Sequence, residues 1–348
     1  MVEKLLKSLI EIPSLSGKEE KIASFVFKYL KNSGLKPKLL LGNNVYCEVG
    51  RGKRVLLLNS HLDTVPPSDS WTLKPFEAKI INGKIHGLGA ADTKGNLAAM
   101  MEVMVDLQRL GEKSNGKVIF VATKREETWG SGMEKLAKKI KFDAAVIGEP
   151  TKLDICIAEK GILGMKVISK GKTAHAAIPG AKNTIHILAE EIVKLSNLKF
   201  KKKHKLLGLP TIQATIINGG FKSNVIPDRC ECVFNIRTTP IYPNKYLLEL
   251  IKRKINSEVE ILSNRIFPKE TEEEEKIVQA TKKASPKSKI AGFFATSDWA
   301  FIEKPAIILG AGNPKQAHGP DEFVEISQME KAKEIYKKII QNYFENEN

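Results

Sequence analysis

Apolar positions along the first third of the chain switch between two periods. Residues 2–11 and 18–33 carry apolar side chains at helical spacing. Ser16 with Glu19 ahead of the second stretch reads as a capping box. Val55-Leu56-Leu57-Leu58, Lys117 to Thr123 and Ala144-Ala145-Val146-Ile147 are short, nearly continuous apolar runs bounded by turn residues, the pattern of buried strands. A helical stretch, Asn96 to Leu110, separates the first two runs. Strands alternating with helices predict a mostly parallel sheet with helices on both faces, an α/β architecture.

The texture changes near residue 161. Strands are expected at 164–171, 211–217, 229–238 and 258–262, and helices at 184–195 and 245–255. This is an α+β arrangement of about a hundred residues, enough for a domain of its own. Beyond it, Phe267 to Ala284 reads as a helix that begins in the acidic run Glu270 and Glu272 to Glu275. Ala306 to Leu309 reads as a buried strand and Ile326 to Phe344 as a closing helix. The expected division is therefore a discontinuous first domain, 1–160 and 266–348, interrupted by a smaller one at 161–265.

Composition changes this picture little. The chain has 348 residues, 42% hydrophobic and 28% charged, as in a soluble protein of about two domains. It excludes a disordered tail, a collagen-like fibre and a disulfide-built miniprotein. No apolar run approaches the roughly 18 residues of a membrane span. The N-terminal stretch is interrupted by charges and does not read as a signal peptide, so a cytoplasmic location is expected. The four cysteines (Cys47, Cys156, Cys230 and Cys232) form no C-x-x-C pair and read as reduced structural thiols. The net charge of +16 suggests an acidic partner. Yet the basic residues are 48 lysines and only eight arginines, the residue favoured for reading phosphates and bases. The dense run from Lys199 to Lys205 reads as a solvated surface. Nucleic acid is not the expected partner, and neither is a membrane.

The chemistry lies just past the apolar runs. Val55–Leu58 leads to His61-Leu62-Asp63, Ile85–Gly89 to Asp92, and Val118–Thr123 to Glu126-Glu127. Ala144–Ile147 leads to Glu149, and Ala306–Leu309 to His318. Ligand crevices in open α/β sheets lie at the carboxyl ends of the strands, so the five segments are expected to converge. Four carboxylates brought together without a counter-charge would repel one another and raise one another's pKa. Metal ions resolve that conflict, and histidine with carboxylate suits zinc. Asp63 is too close to His61 to be an easy independent ligand, and could accept a hydrogen bond from its far nitrogen. In Glu126-Glu127, one carboxylate could bind metal while the other acts as general base.

With these motifs the sequence resembles the di-zinc amidohydrolases and metallopeptidases that include acetylornithine deacetylase, succinyl-diaminopimelate desuccinylase, amino-group-carrier lysine/ornithine hydrolases, glutamate carboxypeptidase and aminoacylase. The resemblance runs from Ile12-Pro13-Ser14 through Ser60–Pro66, Gly89–Gly95, Glu126-Glu127 and Gly148-Glu149-Pro150 to His318-Gly319. It implies a zinc-peptidase-like catalytic domain with an inserted ferredoxin-like lid and dimerisation domain. It implies His61 and Glu149 on one zinc, Glu127 and His318 on the other, and Asp92 bridging, with cobalt able to substitute. Asp63 would be the orienting carboxylate and Glu126 the general base. The peptide after Asp92, often cis in the family, would be Asp92-Thr93.

In the inserted domain, Gly171–Ala176 resembles the segment whose histidine, here His175, stabilises the oxyanion, often from the partner subunit of a homodimer. Asn224–Pro227 and Asn235–Arg237 resemble the substrate-binding stretch, with Asn224 and Arg237 as its contacts. His86, His186 and His204 match no motif and read as structural or solvent-exposed. Trp299, where many relatives carry a small residue, would either narrow the pocket or pack.

The implied reaction is hydrolysis of the amide of an N-acyl amino acid in lysine or arginine biosynthesis. A variant of it releases lysine or ornithine from an acidic amino-group carrier protein, which the +16 charge would suit. The alternative within the family is a dipeptidase or carboxypeptidase. The rival of another class, a non-catalytic zinc- or nucleic-acid-binding protein, would have no need of Glu126.

Overall fold

All seven residues of the strand Val55–His61 are buried, which is why this run is apolar without alternation. It pairs in parallel with Lys117–Thr123 on one side and with Ala144–Ile147 on the other, and Ala306–Ile308 extends the parallel set. Asn44–Gly50 and Lys38–Leu40 continue the sheet antiparallel at one edge; Ile155–Glu159 lies beyond Ala306–Ile308 at the other. The computed structural model describes residues 2–111, 116–128 and 131–345.

Successive residues of a strand face opposite sides of the sheet. On one side Leu57, Val55, Ile119 and Val121 meet Met133, Leu136 and Trp299 in a closed apolar core. Trp299 is fully buried in that core, so its bulk packs. The helix Gly95–Leu110 packs against Val55–His61, Lys117–Thr123 and Asn44–Gly50. Its mostly small and unbranched buried residues, Ala98 and Ala99 among them, let it lie close.

The chain divides into two units. The first is Met1–Ile157, Thr271–Phe293 and Ser297–Asn348; the second is Ala158–Glu270 with Phe294–Thr296. The second unit is a four-stranded antiparallel sheet in the order Thr211–Gly219, Arg229–Thr238, Gly161–Lys170, Glu258–Ile266. Along Arg229–Thr238 burial alternates, with Cys230, Cys232, Phe234 and Ile236 turned inward. The helices Thr184–Ser196 and Asn244–Lys254 supply Leu188, Leu195, Leu247 and Ile251 to the same core. Asn183 caps the first of these helices by accepting the Ile185 N–H at 2.9 Å.

Two expected elements differ. The helix expected from Phe267 begins only at Lys276, and Glu275 ahead of it is extended. Sheet pairing captures the preceding residues. Lys269 and Glu270 pair with Glu159 and Ala158, and the Thr271 N–H reaches the Ile157 carbonyl at 2.8 Å. Tertiary hydrogen bonding here overrides local helix preference. The strand expected to deliver Asp92 lies outside the central sheet. Lys84–His86 pairs instead with Lys79–Ile81 and Phe323–Glu325 in a small separate sheet. Asp92 arrives on an irregular turn, Ala90–Lys94, at the start of the helix Gly95–Leu110.

Candidate metal centre

Three of the parallel strands end together. His61 is the last residue of its strand and pairs with Thr123, three residues before Glu126. Gly148 continues the neighbouring strand by donating its N–H to the Asn59 carbonyl at 2.8 Å, and places Glu149 next. Space is tight there: a Cβ on Gly148 would stand 2.9 Å from the Met100 methyl and 3.1 Å from Asn96 Cβ, so a larger residue would have to displace the methionine. Asn96 also holds the loop after Ala306–Ile308. It donates to the Ala311 carbonyl at 3.1 Å and accepts the Ala311 N–H at 2.7 Å. His318 follows on that loop with φ +61°. The Asp92–Thr93 peptide is cis.

Two groups of possible metal ligands result, His61 with Asp92 and Glu149, and Asp92 with Glu127 and His318. Asp92 faces both histidines with different oxygens. Its Oδ1 lies 3.2 Å from His61 Nε2 and its Oδ2 lies 3.4 Å from His318 Nε2. Glu149 Oε1 is 3.7 Å from His61 Nε2, and Glu127 is 3.1 Å from His318 Nε2. His61 Nδ1 lies 2.9 Å from the backbone carbonyl of Asp63. A proton on Nδ1 satisfies that carbonyl and leaves Nε2 as the free lone pair directed at Asp92.

The protons report the same crowding. Burial pushes Glu126 and Glu149 well above the usual carboxylate range, and neighbouring carboxylates add to the rise in both. Burial raises Glu127 as well. Asp298, buried beneath the site and accepting the Thr123 hydroxyl, is pushed up to about 6, chiefly by desolvation. Burial opposes the charge on His61, but Asp92, Glu149, Glu126 and Asp63 together raise it well above its ordinary value. Hydrogen bonds to Asp92 and Glu127 raise His318 to about 10. Burial works against the Asp92 carboxylate, yet His318 and His61 hold it below its ordinary value. A buried acidic cluster that draws its counter-charge from two imidazoles fits divalent cations, and its nitrogen and oxygen donors suit zinc.

The Asp63 carboxylate points elsewhere than at the imidazole. Its Oδ1 is 3.6 Å from His61 Nδ1. It accepts the N–H of Glu126 at 3.0 Å, the N–H of Glu127 at 3.2 Å and the Ser16 hydroxyl at 2.6 Å. Ser16 is therefore not the cap of the following helix. That helix starts at Glu20 without a side-chain cap, and Glu19 accepts the N–H groups of Gly17 and Arg125. The capping-box pattern is instead a brace on the turn that carries Glu126 and Glu127. Asp298, one residue before Trp299, is a further buried acid that no motif in the sequence marks.

The remaining predicted residues belong to the second unit. His175 lies on a short ladder, where Ala174–His175 pairs with Val225–Ile226, and the adjoining Asn224 carbonyl accepts the Ala176 N–H at 3.0 Å. His175 is exposed and its Nδ1 accepts the Ala177 N–H at 3.1 Å. Arg237 is half-buried on Arg229–Thr238, its Nε donating to Asn235 at 3.2 Å. Of the histidines without a motif, His86 faces the Asp321 carbonyl at 3.0 Å and His204 is buried against Glu270 at 3.2 Å.

Known proteins are similar to this chain in sequence and fold. The chain is 31% identical to an acetylornithine deacetylase of Buchnera aphidicola, with 98% of this chain and 97% of the relative covered. It is 28% identical to a probable succinyl-diaminopimelate desuccinylase of Staphylococcus aureus, covering 97% and 96%. The fold matches that of an M20 family metallo-carboxypeptidase from Sulfolobus solfataricus with a TM-score of 0.81, at 21% identity over 98% of this chain and 99% of the other. The profile of peptidase family M20/M25/M40 matches residues 57–342, a span that holds every residue of both ligand groups. The chain thus belongs to peptidase family M20/M25/M40, and it is a hydrolytic enzyme acting on amide bonds.

Proposed function

We propose that the protein is a di-zinc deacylase that hydrolyses the amide bond of an N-acyl amino acid. The observation that carries this reading is the split attention of Asp92, one oxygen toward each histidine, so that two ligand groups share one carboxylate. His61, Asp92 and Glu149 would hold one ion, and Asp92, Glu127 and His318 the other. Such ions, when bound, polarise a carbonyl and acidify water toward neutrality. Glu126 lies in the cluster but belongs to neither group. Burial makes it a good proton acceptor. It takes a proton from the attacking water and returns it to the amide nitrogen as the C–N bond breaks. The products are a carboxylic acid and a free amine.

The similarity to an acetylornithine deacetylase and a desuccinylase supports a substrate with a free α-carboxylate, in lysine or arginine biosynthesis. Arg237 is suited to grip that carboxylate bidentately, and the resemblance assigns Asn224 to substrate binding and His175 to the oxyanion. We assign the enzyme to the cytoplasm; no described helix is long and apolar enough to cross a membrane. Homodimerisation through the second unit is supported by its exposed edge strand Thr211–Gly219, where Ile216 and Ile217 are 54% and 57% accessible.

The test is free-amine release by the zinc- or cobalt-loaded protein. The panel holds N-acetylornithine, N-acetyllysine, succinyl-diaminopimelate, lysine linked to an acidic carrier protein, and dipeptides, with Glu126→Ala as control. Selective turnover of an acyl amino acid is expected. Turnover confined to dipeptides identifies a peptidase instead. Salt-sensitive turnover confined to the carrier-linked substrate would assign the +16 surface to that partner.

A further inference from the structure

Glu322 stands four residues after His318 and is buried to 1% accessibility. Its carboxylate is enclosed by backbone N–H groups of a single segment. Oε2 accepts Gly89 N–H at 2.8 Å, while Oε1 accepts Ala91 N–H at 2.7 Å and Asp92 N–H at 2.9 Å. Its own backbone carbonyl accepts the Gly87 N–H at 2.9 Å. Four hydrogen bonds therefore tie this one residue to the segment 87–92. Successive backbone N–H groups turned to one point form an anion-binding concavity, and here a side chain of the same protein fills it. The other end of the segment is also held: Lys94 is buried and donates to the carbonyls of Leu9 at 2.9 Å and Ile12 at 3.0 Å.

The loop carrying Glu322 is itself anchored. Asp321 accepts the N–H groups of Thr72 and Leu73 and the Thr72 hydroxyl, and its carbonyl meets His86 Nδ1 at 3.0 Å. Phe323–Glu325 then pairs with Lys84–His86. The loop that supplies His318 and the turn that supplies Asp92 are thus fastened together at Glu322, within four residues of the first ligand and directly on the backbone of the second.

We propose that Glu322 is a positioning residue for the shared ligand Asp92, fixing where its carboxylate stands relative to His318 and His61. The proposal rests on the reading of Asp92 as the shared metal ligand. It predicts a particular pattern of loss. Asp92 belongs to both ligand groups, so a turn that drifts weakens both metal sites, whereas His318 alone would affect one.

The test is Glu322→Gln, which keeps size and one acceptor but sets an amide donor against a backbone donor. Zinc affinities of the metal-free variant and the unaltered protein are measured by competition with a chromophoric chelator, together with unfolding temperature before and after metal. Both affinities are expected to fall about 10- to 100-fold, the range for residues that orient metal ligands. The unfolding temperature of the metal-free form should fall by only a few degrees, as for one buried hydrogen bond lost, and kcat should fall more than KM rises. Unchanged zinc affinities with a lowered unfolding temperature would overturn the proposal and leave Glu322 a purely structural acid. If the unaltered protein itself takes up no zinc, the functional reading fails, a result distinct from the variant's. Should Glu322→Gln not fold, amide exchange of the unaltered metal-free protein decides. Protection of the Gly89, Ala91 and Asp92 amides supports the proposal, and free-chain exchange rates refute it.

Discussion

Asp63→Asn separates two roles for the acid beside His61. If the carboxylate served the imidazole, the substitution would disturb the metal site first. The geometry points to the Glu126-Glu127 turn instead: Asp63 accepts both backbone N–H groups and the Ser16 hydroxyl, while His61 Nδ1 uses the Asp63 carbonyl, which the substitution retains. Asparagine keeps one oxygen. Placed at Oδ2, that oxygen preserves the bonds from Glu127 and Ser16, and the amide NH2 then opposes the Glu126 N–H. One charge-assisted bond is lost, worth about 1.5–3 kcal/mol. Expressed wholly in the barrier, that is about a 10- to 160-fold fall in kcat. The assay is steady-state kinetics on the best substrate of the panel, with zinc stoichiometry and affinity measured on the same preparation. Expected are two zincs per chain at near-unaltered affinity, an unchanged KM and a reduced kcat. Ser16→Ala should reproduce a smaller part of the loss. The two substitutions should couple by roughly 0.5–3 kcal/mol in a double-mutant cycle, because they act on one carboxylate. Loss of zinc from the Asp63→Asn protein, with normal kcat per loaded chain, would refute the reasoning and return the carboxylate to His61.

Three further outcomes follow from the same geometry. Glu126→Gln should bind zinc normally and lose about 10²- to 10⁴-fold in kcat, the usual contribution of a proton-transfer group; loss of a metal instead would make Glu126 a ligand. The chelator-treated protein should lose stability as pH rises above about 4.5, where unfolded glutamates ionise. Glu126, Glu127, Glu149, His61 and His318 all hold protons more tightly when folded, so the native state binds more protons and unfolding free energy falls with pH. Asp92, held low, ionises below this range and leaves the trend unaltered, and Lys94, lowered to about 7 by burial, opposes it only above neutrality; thermal unfolding from pH 5 to 7 checks the sign, and a rise would contradict it. Ile217→Lys on the exposed edge strand should convert a dimer to monomers in light scattering while leaving the fold intact by circular dichroism; an unchanged mass would move any interface elsewhere.

The elements legible from the sequence are those whose burial is two-sided or strictly periodic. Lys117–Thr123, Ala144–Ile147, Arg229–Thr238 and Ile326–Phe344 follow the pattern of apolar positions to the residue. The stretch 267–275 does not, because its hydrogen bonds go to Ala158, Glu159, Ile157 and Ala306, partners that lie far away in sequence. The same distinction divides the site. His61, Glu149 and the Glu126-Glu127 pair follow strand ends, and strand ends can be read. Asp63, Glu19 and Glu322 act by accepting backbone N–H groups, and Ser16 by donating its hydroxyl to Asp63, across dozens to hundreds of positions. Backbone donors carry no residue identity, so no spacing rule points from an acid to the loop it will hold. Ser16 and Glu19 even satisfy a helix-cap pattern that the fold does not use. The candidate ligands that follow strand ends are therefore the more readable part of this centre. The acids that fix their backbones appear only once the loops are folded against one another: removing Asp63 should move kcat, and removing Glu322 metal affinity as well, without touching a single ligand.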